Sequence, residues 1–444
     1  MRRLACDSFI CLAWLGFGTS VRPALAQDEA FATGRVIEDV AAPDDPSQTF
    51  SLYLPSTYST DREWPIVFLM DPRGRSLLPL RKLLPAAERL GYILASSNNT
   101  ASDVDYDANT PAINAMIATL QPRLSLDLQR FYLFGMSGTA RVSWALAYDA
   151  KPHVAGVAGF GAGLPPDFNL ESIQGQYGAP FVFYGGAGNH DFNHAELVLL
   201  EHRLRRLGFR YTASYYPGRH GWPQEESEFE AALSWMHLMA MKRGLVDVDT
   251  AWVTAAYQSR LAEARRLEEE GALAPAWRAY AELGADFSGL VGTVEATDRA
   301  AALADESEVS AWRARRLDLA RAHMAYKGTT AAWLRDAQTG TPDLETGLEA
   351  LAIDSLKAAA EDTADHQGAA AATRALADLF SLTSFYYARY HMDREDWGRA
   401  RLTLEISNAI FPGTRRVCAL LDQVYVALGR AGQYAAGSGC PAGS

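Results

Sequence analysis

A serine, an aspartate and a histidine each follow an apolar run of the kind that forms a buried strand. Ser137 comes shortly after "FYLF", Asp191 after "FVFY" and His220 after "ASYY". A serine hydroxyl becomes a nucleophile when a histidine takes its proton and a carboxylate orients that histidine. Because parallel strands end at one edge of a sheet, the three side chains could meet there.

The turn around Ser137 reads "GMSGT" and follows the run that ends at Phe134. A sharp turn from strand to helix needs small residues two positions before and two positions after the serine, because the two backbones approach closely. Gly135 meets the first requirement, whereas Thr139 meets the second only in part. Taken alone, Ser137 could equally be a small residue in a tight turn.

The aspartate and the histidine could also have purely structural roles. Asp191 could cap the helix that follows it, and His220 could be an exposed turn residue. The agreement of all three in position and chain order favours the catalytic interpretation. His190 and His194 have helical spacing, but such a pair is more often solvated than metal-bound. We therefore predict no metal and no cofactor.

The elements that must position these residues alternate between strand and helix up to about residue 243. Several of the strands are apolar throughout, as strands buried on both faces of a sheet should be. This pattern predicts the α/β class, with a mostly parallel central sheet and helices on both sides. The predicted strands are Thr49 to Tyr53, Pro65 to Met70, Tyr92 to Ser96, Phe131 to Phe134, Val154 to Gly159, Pro180 to Tyr184 and Tyr211 to Tyr216, with helices at Thr110 to Leu120 and Glu196 to Leu207.

Five segments give the chain a family resemblance: "FLMDPRGR", "LASSNN", "GMSGTAR", "YGGAGNHDF" and "GRHGWP". Over about residues 45 to 243 the chain resembles the α/β-hydrolase superfamily, and most closely its lidless esterases of the dienelactone hydrolase, feruloyl esterase and polyhydroxybutyrate depolymerase type. The resemblance implies a serine esterase with Ser137 as nucleophile, Asp191 as acid and His220 as base. It also implies an acyl-enzyme intermediate.

An oxyanion formed at such a serine needs two hydrogen-bond donors. The backbone N–H of Gly138 should supply the first, and that of Arg73 or Gly74 the second. The intervals between the triad members are too short for a lid domain, which favours an open site and an ester substrate that is extended or bulky. Three nearby apolar side chains could shape a substrate pocket or could simply pack in the core: Met136, Phe192 and Trp222.

The first 26 residues read as a secretory signal, with Arg2 and Arg3, a short apolar stretch and the cleavage pattern Ala24-Leu25-Ala26. Cleavage there would remove three arginines and one aspartate, so the formal charge would change from −12 to −14. We expect a periplasmic or secreted protein that has no transmembrane segment in its mature chain and binds no nucleic acid. In an oxidising compartment, Cys418 and Cys440 should form a disulfide.

The composition changes near residues 244 to 250, so we predict a catalytic domain over residues 27–243 and an α-helical domain over residues 250–440. The helical domain resembles tetratricopeptide repeats at its two ends. It could stabilise the catalytic domain by packing, or it could bind a peptide, a glycan or a second subunit. The alternative function is therefore a binding or scaffold protein that acts through these helices while the hydrolase-like domain is catalytically impaired, with Thr139 as its best support.

Overall fold

A computed structural model describes residues 30–104, 106–150, 153–165, 168–172, 179–337, 343–431, 433 and 439–440. The predicted signal segment, residues 1–26, lies outside these ranges. No helix in the described ranges is long and apolar enough to cross a membrane.

An eight-stranded sheet organises the first part of the chain. Its strand order is β1-β2-β4-β3-β5-β6-β7-β8, in which β2 runs antiparallel to both its neighbours and β3 to β8 are parallel. This order is that of the α/β-hydrolase fold, and it confirms the predicted mostly parallel sheet. The strands are β1 Val36–Ala41, β2 Thr49–Tyr53, β3 Trp64–Met70, β4 Ile93–Ser97, β5 Leu126–Met136, β6 Val154–Phe160, β7 Val182–Gly188 and β8 Tyr211–Tyr216.

The helices of this part lie between the strands and continue after the last one. They are α1 Leu77–Leu90, α2 Thr110–Leu120, α3 Gly138–Asp149, α4 His194–Arg206, α5 Glu226–Lys242, α6 Thr250–Glu269, α7 Leu273–Phe287 and α8 Val294–Ala304. The helix predicted at Thr110 to Leu120 has those bounds in the structure. The second predicted helix begins two residues earlier than expected, at His194.

Strand β7 begins at Val182 and ends at Gly188, whereas the prediction was Pro180 to Tyr184. Strands β1 and β5 differ more from the prediction, for physical reasons. Strand β1 was not predicted, because the sequence "VIEDVA" carries two acidic residues and lies at the sheet edge, where its residues are only partly buried. Strand β5 begins at Leu126 instead of Phe131, because its first half holds the polar residues Asp127, Gln129 and Arg130. Arg130 and Asp127 form an ion pair with a distance of 2.5 Å, which allows this polar half to be partly buried.

Contacts divide the chain into two units. Among the described residues, the first unit comprises those up to 188 together with 200–310, and the second comprises 189–199 together with those from 311 onwards. The first unit therefore extends past the boundary that the composition suggested at residues 244 to 250. The reason is packing: residues of α6 and α7 such as Tyr257, Leu261 and Tyr280 belong to the same hydrophobic core as the sheet.

A side chain of helix α7 reaches the outer edge of the sheet. Arg278 donates to the backbone oxygen of Ala213 in the edge strand β8, and it forms ion pairs with Glu201 at 3.1 Å and Glu282 at 2.8 Å. The unpaired backbone groups of an edge strand can pair with another chain, and this contact occupies one of them.

The second unit is helical, which confirms the all-α character expected for the end of the chain. A disulfide joins Cys418 to Cys440, the pair that the sequence predicted. The tetratricopeptide-like repeat stays a prediction. The helices are α9 Ser307–Asp336, which begins in the first unit, α10 Leu344–Ala350, α11 Ile353–Ala360, α12 His366–Ser381, α13 Ala388–Met392, α14 Trp397–Ile410 and α15 Arg415–Ala427, with a π-helical segment at Leu382–Tyr387.

Candidate active site

Ser137 lies in a strained turn between β5 and α3. Its backbone has φ 57° and ψ −126°, a conformation that non-glycine residues rarely adopt and that costs of order 1–3 kcal/mol. The N–H of Ser137 donates to the backbone oxygen of Phe160 at 2.8 Å. A Cβ on Gly135 would lie 2.5 Å from the backbone oxygen of Thr139, so only glycine fits there. The turn thus has the geometry of a nucleophile elbow.

Thr139 occupies the position at which the sequence departs from the usual pattern. Its side chain is fully buried, and its hydroxyl lies 2.6 Å from the backbone oxygen of Met70 at the end of β3 and 2.8 Å from that of Met136. The hydroxyl oxygen of Thr139 also accepts the backbone N–H of Met136 at 3.0 Å. The threonine is therefore accommodated by hydrogen bonds that tie the elbow to the neighbouring strand.

His220 follows β8 and contacts the elbow directly. Its Nε2 lies 2.9 Å from the hydroxyl oxygen of Ser137, although 83 positions separate the two residues. In the tautomer with no hydrogen on Nε2, this nitrogen accepts the serine hydroxyl, which is the geometry that proton transfer requires. Both side chains are only partly buried, so a substrate can reach them.

A close backbone contact fixes the loop that carries His220. A Cβ on Gly188, the last residue of β7, would lie 2.5 Å from the backbone oxygen of Gly218 and 2.8 Å from that of Arg219. Because a real Cβ cannot approach backbone so closely, glycine is required at the end of β7. This contact joins the carboxyl end of β7 to the loop of the candidate base.

Asp191 follows the end of β7 by three positions and is fully buried. Its Oδ1 accepts the N–H of Asn193 at 2.8 Å, and its backbone oxygen accepts the N–H of His194 at 3.0 Å. These bonds form a tight turn at the start of α4. The carboxylate is thus held by its own loop, and its role as the acid of a triad stays a prediction.

Gly138 is the first residue of α3, so its N–H has no partner within the helix and can bind an anion. The two predicted second donors are already engaged in the structure. The N–H of Arg73 donates to Oδ1 of Asp71 at 2.8 Å, and that of Gly74 donates to the backbone oxygen of Asp71 at 3.2 Å. A second oxyanion donor from this loop would have to exchange or share one of these bonds.

Asp71 organises the loop after β3, although no motif in the sequence indicates such a role. Its buried carboxylate binds Arg75 at 2.9 Å and accepts the indole N–H of Trp222 at 2.8 Å. Burial alone would raise the pKa of Asp71, but the hydrogen bonds from Arg75, Trp222 and the backbone N–H groups of Arg73 and Arg75 together lower it. The carboxylate thereby connects this loop to the loop of His220.

Two of the three predicted pocket residues lie in the hydrophobic core. Met136 and Trp222 are 4% and 5% exposed, and Trp222 packs on the rings of Phe160 and Phe229 with centroid distances of 5.4 and 5.6 Å. For these two residues the structure favours packing over contact with a substrate. Phe192 is only partly buried and lies 5.9 Å from the ammonium group of Lys327.

Ser102 lies near the elbow, although no motif in the sequence predicts that position. The Ser102 hydroxyl oxygen is buried and has no hydrogen-bond partner among the described residues. A Cβ on Gly138 would lie 2.6 Å from this oxygen and 2.9 Å from the Cβ of Ser102, so a larger residue after Ser137 would have to displace Ser102. Only the folded loop after β4 brings it there.

A cavity of about 560 Å³ opens beside β8, between α5 and the pair α6–α7. Its lining includes Trp235, Trp252 and Phe287, but neither Ser137 nor His220. The cavity is therefore separate from the serine–histidine pair.

Comparison with known proteins gives structural neighbours only. No protein-family model matches the chain, and no curated protein matches it. Among solved structures, S-formylglutathione hydrolase from Staphylococcus aureus is 13% identical, with a TM-score of 0.39 over 47% of this chain and 99% of that one. The feruloyl esterase module from Clostridium thermocellum is also 13% identical, with a TM-score of 0.39 over 45% of this chain and 87% of that one.

A third neighbour, an esterase from the archaeon Pyrobaculum calidifontis, is 17% identical, with a TM-score of 0.36 over 47% of this chain and 87% of that one. These values describe likeness over less than half of the chain. The strand order and the elbow at Ser137 establish independently that the chain has the α/β-hydrolase fold.

Proposed function

We propose that the protein is a serine hydrolase that cleaves carboxylic esters through Ser137, His220 and Asp191. The observation that carries the proposal is the 2.9 Å distance between the Ser137 hydroxyl oxygen and Nε2 of His220, at a serine held in the conformation of a nucleophile elbow. A structural serine in a turn needs neither the strained backbone nor a histidine at that distance.

In the first half of the reaction, His220 takes the hydroxyl proton of Ser137 while the serine oxygen attacks the ester carbonyl carbon. The carbonyl oxygen gains the negative charge and binds the N–H of Gly138. When the tetrahedral intermediate collapses, the bond to the alcohol oxygen breaks, and His220 gives its proton to the leaving alcohol. The acyl group remains on Ser137.

In the second half, His220 takes a proton from water as that water attacks the acyl carbon. Collapse of the second tetrahedral intermediate releases the carboxylic acid and returns the proton to Ser137. Asp191 would hold the imidazole in the productive tautomer and stabilise its positive charge after each proton transfer. Its position after β7 and its complete burial support this assignment.

The remaining parts of the proposal concern location and substrate. The signal-like segment at residues 1–26 and the Cys418–Cys440 pair support export to the periplasm or outside the cell. The short intervals between the triad members support an open site for a large ester, and the helical residues could bind a protein or glycan partner. The accommodation of Thr139 by hydrogen bonds weakens the alternative of an impaired scaffold, which had that residue as its best support.

The test is the turnover of activated aryl esters by the wild-type chain and by Ser137→Ala. Loss of the nucleophile should lower kcat by about 10⁴- to 10⁶-fold. The fold should be unaffected, since one small hydroxyl is removed from a partly exposed turn. A pre-steady-state burst of alcohol, equal to the enzyme concentration, would report the acyl-enzyme. Equal turnover by the two proteins would reject the proposal.

A further inference from the structure

The segment 189–199 carries Asp191, and its contacts place it with the helical residues 311–444 instead of with the sheet. The helices of the second unit therefore contribute to the surroundings of the proposed catalytic acid. This inference rests on the function proposed above, because it concerns the same carboxylate.

Two cations of the helical unit hold the segment on either side of Asp191. Arg374, on α12, donates from Nη1 to the backbone oxygen of Asn189 at 2.9 Å. Lys327, on α9, places its ammonium group 3.5 Å from Oδ1 of Asn193 and 5.9 Å from the centroid of the Phe192 ring. Together these contacts fix the backbone before the carboxylate and the side chains after it.

Asn193 connects Lys327 to the carboxylate. Its side-chain oxygen faces the ammonium group of Lys327, while its backbone N–H donates to Oδ1 of Asp191 at 2.8 Å. Asn193 is itself buried, with 6% of its surface exposed. A shift of Asn193 would therefore move the hydrogen-bond donor of Asp191.

Lys327 is fixed in turn by a buried carboxylate. Oδ1 of Asp378 lies 3.2 Å from the ammonium group, and Oδ2 lies 3.3 Å from Nε2 of His323. Asp378 is 4% exposed, so its buried carboxylate needs the nearby ammonium group and the hydrogen bond to the imidazole. The lysine thus has a defined position, which a solvated surface lysine would lack.

We propose that Lys327 is a positioning residue for the proposed acid Asp191. A triad acid acts by orienting the imidazole, so a small displacement of the carboxylate lowers the rate of catalysis more than it weakens substrate binding. We expect Lys327→Met to lower kcat roughly 10-fold with little change in KM.

The test is a double-mutant cycle in the full chain with Lys327→Met and Asp191→Asn. The rate constant for inactivation by a fluorophosphonate measures nucleophilicity in one turnover, so even slow variants can be compared. If Lys327 acts through Asp191, Lys327→Met slows inactivation in the wild-type background and adds little in the Asp191→Asn background. If Lys327→Met acts only by disturbing the fold, it should lower the inactivation rate constant by the same factor in both backgrounds. That result would overturn the proposal.

Arg321→Met is the matched control. Arg321 lies on the same helix and its ion pair with Asp318 is exposed. Among the described residues it forms no hydrogen bond or ion pair with the segment 189–199. It should change the inactivation rate less than about twofold, because exposed pairs contribute little. Lys327→Arg, which retains the cation beside Asp378, should recover a large part of the rate that Lys327→Met loses.

Hydrogen exchange separates this proposal from the proposed function. Lys327→Met should speed amide exchange in the peptide that covers residues 189–199, whereas Arg321→Met should not. Unchanged exchange in both variants would overturn the positioning role even in an active enzyme. Absence of inactivation in the wild-type chain, with the expected change in exchange, would instead reject the hydrolase assignment and with it the catalytic part of the inference.

Discussion

Thr139→Val tests whether the elbow depends on the buried hydroxyl. The substitution keeps the shape of the side chain and removes its oxygen. The backbone oxygen of Met70 then loses a donor that lies at 2.6 Å, and the N–H of Met136 loses an acceptor at 3.0 Å. The site is fully buried, so water cannot replace these bonds.

Leaving a buried polar group without its partner costs about 1–3 kcal/mol. Two backbone groups are affected, and the added methyl group offsets part of the loss through burial, so Thr139→Val should destabilise the protein by about 2–4 kcal/mol. The strained backbone of Ser137 persists only while its surroundings hold it. We therefore expect esterase turnover to fall along with stability.

Urea unfolding, followed by the fluorescence of buried tryptophans such as Trp64 and Trp144, would measure the change in unfolding free energy, with Thr139→Ser as the control. Serine keeps the oxygen and loses only a methyl group, which should cost about 1 kcal/mol. A Thr139→Val variant as stable and as active as Thr139→Ser would show that the hydroxyl does not hold the elbow.

Three further changes address the elbow, the β3 loop and the helical unit. Gly135→Ala should abolish activity and destabilise the fold because its Cβ would meet backbone at 2.5 Å, whereas Gly292→Ala, with open space around its Cβ, should be neutral by thermal unfolding and turnover. Asp71→Asn should lower the free energy of unfolding by about 2–4 kcal/mol near neutral pH. The hydrogen bonds of Asp71 lower its pKa below the ordinary value of 3.8, so they stabilise the fold fully only when the pH is above that value. This stabilisation is lost as the pH falls. The difference in unfolding free energy between wild type and variant should therefore shrink below about pH 4. Cys418→Ser removes the Cys418–Cys440 disulfide and should lower the free energy of unfolding by roughly 3 kcal/mol, because the bond closes a loop with a sequence separation of 22. Denaturant unfolding without reductant measures this change. A variant as stable as the wild type would contradict the loop-entropy argument.

The apolar strands could be predicted from the sequence because burial on both faces of a parallel sheet leaves a continuous apolar run. Strand β3, Trp64–Met70, and strand β6, Val154–Phe160, are buried throughout, and each differs by one residue from the predicted bounds. Edge strand β1 has no such run, since the burial that makes a strand recognisable is incomplete at an edge.

The pairing of Ser137 with a histidine could be anticipated from the positions of both residues after strands. The supporting contacts could not, because they join residues that are distant in the chain. Trp222 reaches Asp71 across 151 positions, and no local pattern encodes that bond.

The assignment of residues 189–199 to the helical unit was equally inaccessible to sequence reasoning. One of the contacts of this segment joins Arg374 to the backbone oxygen of Asn189, 185 positions away in the chain. The composition change near residues 244 to 250 marks where the chain becomes helical, but contact between side chains decides which elements share a core.

The most direct test of the central claim is covalent labelling by a fluorophosphonate, with the modified residue located by mass spectrometry of peptides. A competent nucleophile activated by His220 should be labelled stoichiometrically at Ser137, and labelling should be lost in Ser137→Ala and strongly slowed in His220→Ala. Absence of labelling at Ser137 in the folded wild-type chain, or equal labelling after loss of His220, would contradict the proposal that this pair forms the active site of a serine hydrolase.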